Sequence, residues 1–274
     1  MSASLFPRRW FAAAPASVLP ALGRGGAAVL LRAAPVVGLL LLWAFASDAF
    51  DSPVLFPTPW TTWQKALLLI NEGQLQTDAA ISMARILTGF VIGSLLGVVL
   101  GLLVGTSNWA ADLLGPHIAT LRFISPTALI SIVMIWFGIG ELSKVLLIIY
   151  TTTFVVLLNT TIGVLNIHPT KMRAAQVFGA SPVQRFLLVT LPAALPYVLT
   201  GARLAMMNSF MTVVAAEMVA AQSGLGFLIF SSRQWMETDA IFVGMIALGL
   251  LGLLTDRALV LAYRLCFHRF QPVV

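Results

Sequence analysis

Arg203 and Glu217 are charges lying inside a long apolar stretch, residues 193–219, and a charge in hydrocarbon has to be neutralised or put to use. Their separation is two heptads, so they share one helix face. At 1.5 Å per residue they stand about 21 Å apart along the axis, too far to pair with each other. Two kinds of work are open to them. The face can line a polar pathway, with Arg203 near mid-membrane lowering the barrier for an anion and Asn208 adding polarity. Alternatively, each is tied to polar groups on a neighbouring span and holds the bundle together. Bond-making chemistry is not legible. There is no G-x-x-x-x-G-K-[ST] loop to cradle nucleotide phosphates, no H-E-x-x-H and no G-x-S-x-G turn. His117, His168 and His268 are far apart, and the single cysteine, Cys266, allows neither an intrachain disulfide nor a cysteine metal site. No catalytic residue, metal or cofactor is expected, and the chain does not read as an enzyme.

The other informative residues form a polar interruption, 168–192, between two apolar stretches. Pro169 suits the first turn of a helix, where its missing N–H is not needed. Residues 170–178 can then make about two turns, with Met172, Ala175 and Phe178 on one side. Gly179 is the residue type that ends a helix in the left-handed conformation. Ser181 and Pro182 restart a helix as N-cap and N1, and Gln184 completes a capping box with Ser181. This second helix is expected to run to about Leu191, with Pro192 and Pro196 marking entry to the next span. Lys171, Arg173 and Arg185 keep the helix–turn–helix out of the hydrocarbon.

The spacing of this segment resembles the EAA loop of ABC-importer permeases, the binding-protein-dependent transport permeases. That pattern is Glu-Ala-Ala, three residues, Gly, nine residues, an apolar residue, one residue, Leu-Pro. Here it stands as Arg173-Ala174-Ala175, Gly179 followed by Ala180 and Ser181, Val189, then Leu191-Pro192, with Arg173 in place of the acid. FPTPWTTW, ISMARILTGF, IWFGIGELSKVLLI and AAEMVAAQSGLGFLI look like the sulfonate, taurine and nitrate branch, so the likeness covers about residues 55–265. The resemblance implies an all-α membrane protein with six transmembrane helices of the type I ABC importer permease architecture. It implies a loop that docks into a groove on a separate ATPase subunit, two such subunits in the assembly, a second permease copy completing a homodimer, and an external substrate-binding protein. It also implies a small solute such as a sulfonate, taurine or nitrate, and a bacterial inner-membrane location. The rival class is an ion-coupled secondary transporter or a channel acting without an ATPase.

Composition supports the membrane assignment independently. Hydrophobic residues are 59% and charged residues 9% of the 274, and the mean hydropathy is +0.96. A soluble chain carries roughly half and a quarter. A span needs about 20 mostly apolar residues, and six stretches qualify: 27–47, 79–106, 119–139, 142–166, 193–219 and 239–262. With both termini cytoplasmic, only Lys65, Lys144 and Arg233 fall outside, while Arg85 and Arg203 lie within spans and Arg122 at an inner membrane edge. That asymmetry follows the positive-inside rule, so the net charge of +6 reflects topology rather than a nucleic-acid partner. The expected organisation is a cytoplasmic tail (1–26), a transmembrane domain (27–264) in the lipid bilayer and a cytoplasmic tail (265–274). The domain includes an external segment, 48–78, and the loop 168–192. In the external segment Trp60, Trp63, Ala66, Leu67 and Ile70 make an apolar helix face. Gly89, Gly93, Gly97, Gly101 and Gly105 recur every fourth residue, stripping one face of the second span so that another backbone can approach closely.

Overall fold

The computed structural model describes residues 24–49 and 55–266. Most of the expected N-terminal tail, Asp51, Pro53, and residues 267–274 of the C-terminal tail lie outside the described residues. The chain divides into two compact units, Met1–Pro59 and Trp60–Val274. In the first, α1 (Arg24–Ala49) is helical through Pro35, and the Trp43 indole donates to the Pro57 carbonyl at 3.0 Å.

The second unit is helical throughout its regular structure. It contains α2 (Pro59–Asn71), α3 (Gln74–Thr106), α4 (Asn108–Leu121), α5 (Pro126–Phe137) and α6 (Glu141–Leu165). Then come α7 (Pro169–Val177), the short α8 (Pro182–Arg185), a π-helical turn (Phe186–Thr190), α9 (Leu191–Ala220), α10 (Leu225–Gln234) and α11 (Thr238–Cys266). The core joins α3, α6 and α9 through Ile86, Ile148, Val156, Ala205 and Val213.

The glycine stripe sets the closest approach. A Cβ on Gly89, Gly93, Gly97, Gly101 or Gly105 would meet Ile148, Thr152, Val156, Thr160 or Val164 respectively, with Cβ–Cβ distances of 2.6–2.7 Å. Both rows advance in fours and in the same direction, so α3 and α6 pack in parallel. Small residues on one helix receive mostly β-branched residues from the other, the arrangement that brings membrane helices into van der Waals contact. Thr153 and Thr161 each donate across the seam to a glycine carbonyl, Gly93 and Gly101, at 3.2 Å.

Parallel packing obliges the chain to return between α3 and α6, and α4 with α5 forms that return. The expected straight third span, 119–139, is instead two helices bent by 99° across residues 122–125. Pro126 lacks the N–H that would continue a helix and serves as N1 of a new one after Ser125. The Tyr150 hydroxyl pins the break by donating to the carbonyls of Leu121 (2.5 Å) and Ile124 (3.3 Å). By length and composition, four helices among the described residues can cross a membrane, or five if the bent pair counts as one span. The expected count of six is therefore not reproduced, because α1 contributes only a shorter apolar helix, Val37–Ala49.

α11 runs on to Cys266, so the helix continues past residue 264. α2 packs through Ala66 and Leu69 against Leu225, Leu228, Ala240 and Val243, buries Thr62, and leaves Trp60, Trp63, Leu67 and Ile70 exposed. The tryptophans suit a membrane–water interface. α10 was not anticipated from the sequence.

Gly97→Ala is expected to destabilise the fold by about 1–3 kcal/mol through overpacking against Val156 and the Thr153 carbonyl. Gly115→Ala, where nothing lies within 4 Å, serves as the matched control. Thermal melting of the purified protein in detergent measures the difference, and equal midpoints would exclude a structural role for the stripe.

Candidate functional site

The 168–192 segment folds as a rigid elbow. His168 caps α7, its Nδ1 accepting from the Thr170 N–H at 3.3 Å, and Pro169 follows at N1. At the other end Gly179 takes φ +74°. Its N–H donates to the Gln176 carbonyl at 2.9 Å and the Ala180 N–H to Ala175 at 3.0 Å, the paired bonds of a Schellman motif. The next helix opens on the capping box: Ser181 Oγ accepts from the Gln184 N–H (3.3 Å), and Gln184 Oε1 accepts from the Ser181 N–H (2.8 Å). Several of the orphan backbone groups at the corner are thus engaged within the loop itself.

The elbow does not end at Leu191. α8, the π turn and α9 run on as one helical stretch, Pro182–Val219, of 38 residues. The Leu191 N–H reaches back to the Phe186 carbonyl, and this wider turn places Pro192 where no N–H is required. The second arm is therefore a direct extension of the span and not a separate helix hinged to it.

Arg173 and Ala174 are exposed, while Met172 and Ala175 turn partly inward. Phe178 does not follow that inner face: it is the C-cap residue and stands 88% exposed. Val177 and Val183 beside it are 85% and 65% exposed. On the opposite side, Met172, Pro182 and Thr190 border a cleft of about 350 Å³ with Gly105 and Val164, so the elbow is seated at the ends of α3 and α6.

Arg85, Arg203 and Glu217, the charges singled out within the spans, are each paired. Glu217 is fully buried, with Oε1 2.7 Å from Arg85 Nη1. Ser82 Oγ donates to the same carboxylate, as does the Gly226 N–H at 2.8 Å. Arg85 also grips Glu141 at the start of α6 through Nε (2.5 Å) and Nη2 (2.6 Å), and donates to the Ser223 carbonyl at 2.8 Å. Lys144 Nζ adds a contact to Glu141 at 2.9 Å, and Asp78 accepts from the Gly224 N–H at 2.7 Å. One clamp thus joins α3, α6, α9 and the 223–226 loop. Gly224, at φ +114°, lies so close that a Cβ would sit 2.5 Å from the Glu217 carboxyl carbon.

Arg203 makes a bidentate pair with Asp256 of α11, at 2.7 and 2.9 Å. The shared face of Arg203 and Glu217 is therefore not one continuous lining. Glu217 is sealed in the interior, and Arg203 is held to its neighbour helix. Asn208, between them, is exposed and borders a separate cleft with Thr151 and Thr212. The partners Arg85, Glu141, Asp78 and Asp256 are not evident from the sequence. The visible signal was a cation at Arg85 and an acid at Glu217 within two apolar stretches; that they meet depends on which helices are neighbours.

These features define a polytopic, all-helical membrane protein with a structured elbow protruding from its longest span. Residues 93–269 match the family described as binding-protein-dependent transport system inner membrane component. The chain is 38% identical over 247 residues to a permease of Escherichia coli K12 named for aliphatic sulfonate transport, covering 89% of this chain and 94% of that one. It is 33% identical to the taurine transport system permease protein of the same organism (81% and 82% covered). Against the bicarbonate transport system permease protein of Synechococcus elongatus it is 31% identical (84% and 86%). The fold is shared with a chain of the inward-facing MetNI methionine ABC transporter, at a TM-score of 0.53 and 17% identity, covering 66% of this chain and 94% of that one. The chain belongs to the binding-protein-dependent transport system inner membrane component family: it is the permease subunit of an ABC importer, with the type I permease architecture, and is not an enzyme. The secondary-transporter and channel readings are set aside by that membership.

Glu217→Ala leaves Arg85 with Glu141 as its one carboxylate partner and removes the acceptor for Ser82 and Gly226. Breaking a buried pair in this way costs about 3–5 kcal/mol, so the variant is expected to accumulate poorly and melt well below the parent. Unchanged yield and midpoint would count against the clamp. Ser181→Ala, by contrast, removes one cap and is expected to cost about 1 kcal/mol, read as faster proteolysis at the elbow with the spans intact.

Proposed function

We propose that this permease couples an ATPase to solute movement through the 168–192 elbow, and that two copies of it enclose the pathway for a small anion. The observation that carries the coupling is the exposure of Phe178, Val177 and Val183 on a corner braced by a Schellman motif and a capping box. Three apolar side chains held rigidly outside the bundle suit insertion into a groove of another protein. Arg173, Ala174, Ala175, Gly179, Ala180 and Ser181 form the docking corner. Leu191 and Pro192 lie on the stretch that passes its displacement to α9. Because the second arm and the span are one helical run, a push on the corner tilts α9 without a slack hinge between arm and span. The ATPase shifts the permease between two states by binding them with different affinity, as any coupling requires.

In this reading the elbow and both termini are cytoplasmic, and residues 1–26, 27–264 and 265–274 are tail, permease domain and tail. An external binding protein delivers the solute to a homodimer of permeases served by two ATPase subunits in the bacterial inner membrane. The relatives named for sulfonates, taurine and bicarbonate support an anionic solute. Asn208 faces the pathway, whereas Arg203 and Glu217 fix its walls through Asp256 and Arg85.

Phe178→Ala and Gly179→Val are each expected to lower ATP-driven uptake by about tenfold or more while the permease still inserts. Gly179→Val also imposes a left-handed conformation that costs a branched residue about 1–2 kcal/mol. Uptake into proteoliposomes holding the permease, its ATPase and the binding protein is the measurement. Transport at the parental rate by both variants would remove the elbow from the coupling path.

A further inference from the structure

Arg122 lies in the break between α4 and α5, and the Tyr150 hydrogen bonds fix the depth of that break. Tyr150 stands about 14 Å along α6 from Glu141 and about 22 Å from Leu165, so the break lies beside the middle of the bundle. Counting residues along the chain puts Arg122 at a membrane edge; the bend carries it inward. Arg85, Lys144 and Arg203 each meet a carboxylate. Among the described residues Arg122 meets none, and its guanidinium rests only over the Phe123 ring, 4.8 Å from the centroid. An intramembrane cation without a counter-charge faces water or an anion rather than lipid.

A space of that kind adjoins it. A cleft of about 350 Å³ between α5, α6 and α9 is lined by Arg122, Thr127, Thr151, Asn208 and Thr212 among apolar neighbours, with no carboxylate. The Thr151 and Thr212 hydroxyls already donate to backbone carbonyls of their own helices. The guanidinium fork and the Asn208 carboxamide remain as uncommitted donors, and their geometry suits an oxyanion. Pro126 and Thr127 open α5 on the same cleft, so the positive end of a half-helix adds to the field of Arg122.

We propose that this cleft is an anion subsite of the translocation pathway, in which Arg122 and Asn208 take the oxyanion group, a sulfonate or carboxylate, of the passing solute. The inference rests on the reading of the chain as the pathway-forming subunit. It assigns to Arg122 the role that the Arg203–Asp256 pair is no longer free to play.

The test uses the assembled permease–ATPase complex in membranes, with Cys266→Ser as background and Thr127→Cys, on the lining of the same cleft, as reporter. Modification rates are measured with an anionic reagent, 2-sulfonatoethyl methanethiosulfonate, and a cationic one, 2-(trimethylammonio)ethyl methanethiosulfonate. Both are expected to react, in the resting or nucleotide-bound complex. The anionic-to-cationic rate ratio is expected to fall about tenfold on Arg122→Gln and to recover with Arg122→Lys. Failure of either reagent to react in any nucleotide state would overturn the proposal. So would a ratio indifferent to Arg122→Gln, the result expected if the guanidinium reaches a lipid phosphate instead. If Arg122→Gln does not assemble, protection of Thr127→Cys by methanesulfonate but not by tetramethylammonium tests the same subsite with Arg122 and Asn208 intact, and absence of protection overturns it. An unchanged ratio in a complex that still imports on ATP sinks the subsite and leaves the transport reading standing.

Discussion

The close approach of α3 and α6 is the constraint from which the rest of the architecture follows. Five glycines give up their side chains so that Ile148, Thr152, Val156, Thr160 and Val164 can lie against the α3 backbone. Because the two helices run in the same direction, the polypeptide must come back between them. It does so through α4 and α5, which are too sharply bent to form an ordinary straight crossing. The bend is thus a consequence of parallel packing and proline placement. It leaves an irregular stretch of backbone at depth, where only protein or a water-lined cavity can surround it.

Charge is used in two different ways on this frame. At the Gln74 end of α3, Arg85, Glu217 and Glu141 form a closed set whose donors and acceptors satisfy one another, with Asp78 beside them holding Gly224. Such a set fixes which helices are neighbours and where the 223–226 loop lies. Buried ionic groups of this sort serve register more than net stability, since the cost of desolvating them offsets much of their attraction. At the opposite end the elbow leaves Val177, Phe178 and Val183 exposed beside its polar residues. The two ends are linked by α9, which begins as the second arm of the elbow and ends at Glu217.

That continuity bears on how a permease responds to a partner. A π turn at Phe186–Thr190 accommodates Pro192 without breaking the helix, so the arm cannot swing independently of the span. The same stretch holds Arg203 to Asp256 on α11. Motion imposed at the corner therefore reaches both α9 and α11, while the seam between α3 and α6 has little room to yield because its contacts are already at packing distance.

Local signals were legible in the sequence because they act over a few residues. Pro169, Gly179, Ser181 and Gln184 each dictate the backbone next to them, and the elbow they build differs from expectation mainly in running on past Leu191. The glycine repeat likewise declared a close contact, without naming its partner. Long-range choices were not legible. Arg85 and Glu217, or Arg203 and Asp256, pair only because packing makes their helices neighbours, and no spacing along the chain encodes that. The bend at 122–125 was hidden for the same reason: an apolar stretch of the right length reads as one straight span until the parallel seam between α3 and α6 decides how the return must run. Hydropathy and capping thus marked most of the apolar helices and the turns of the elbow, but not α10 or the bend at 122–125. Packing geometry alone settled which charges are neutralised and which, such as Arg122, face open space.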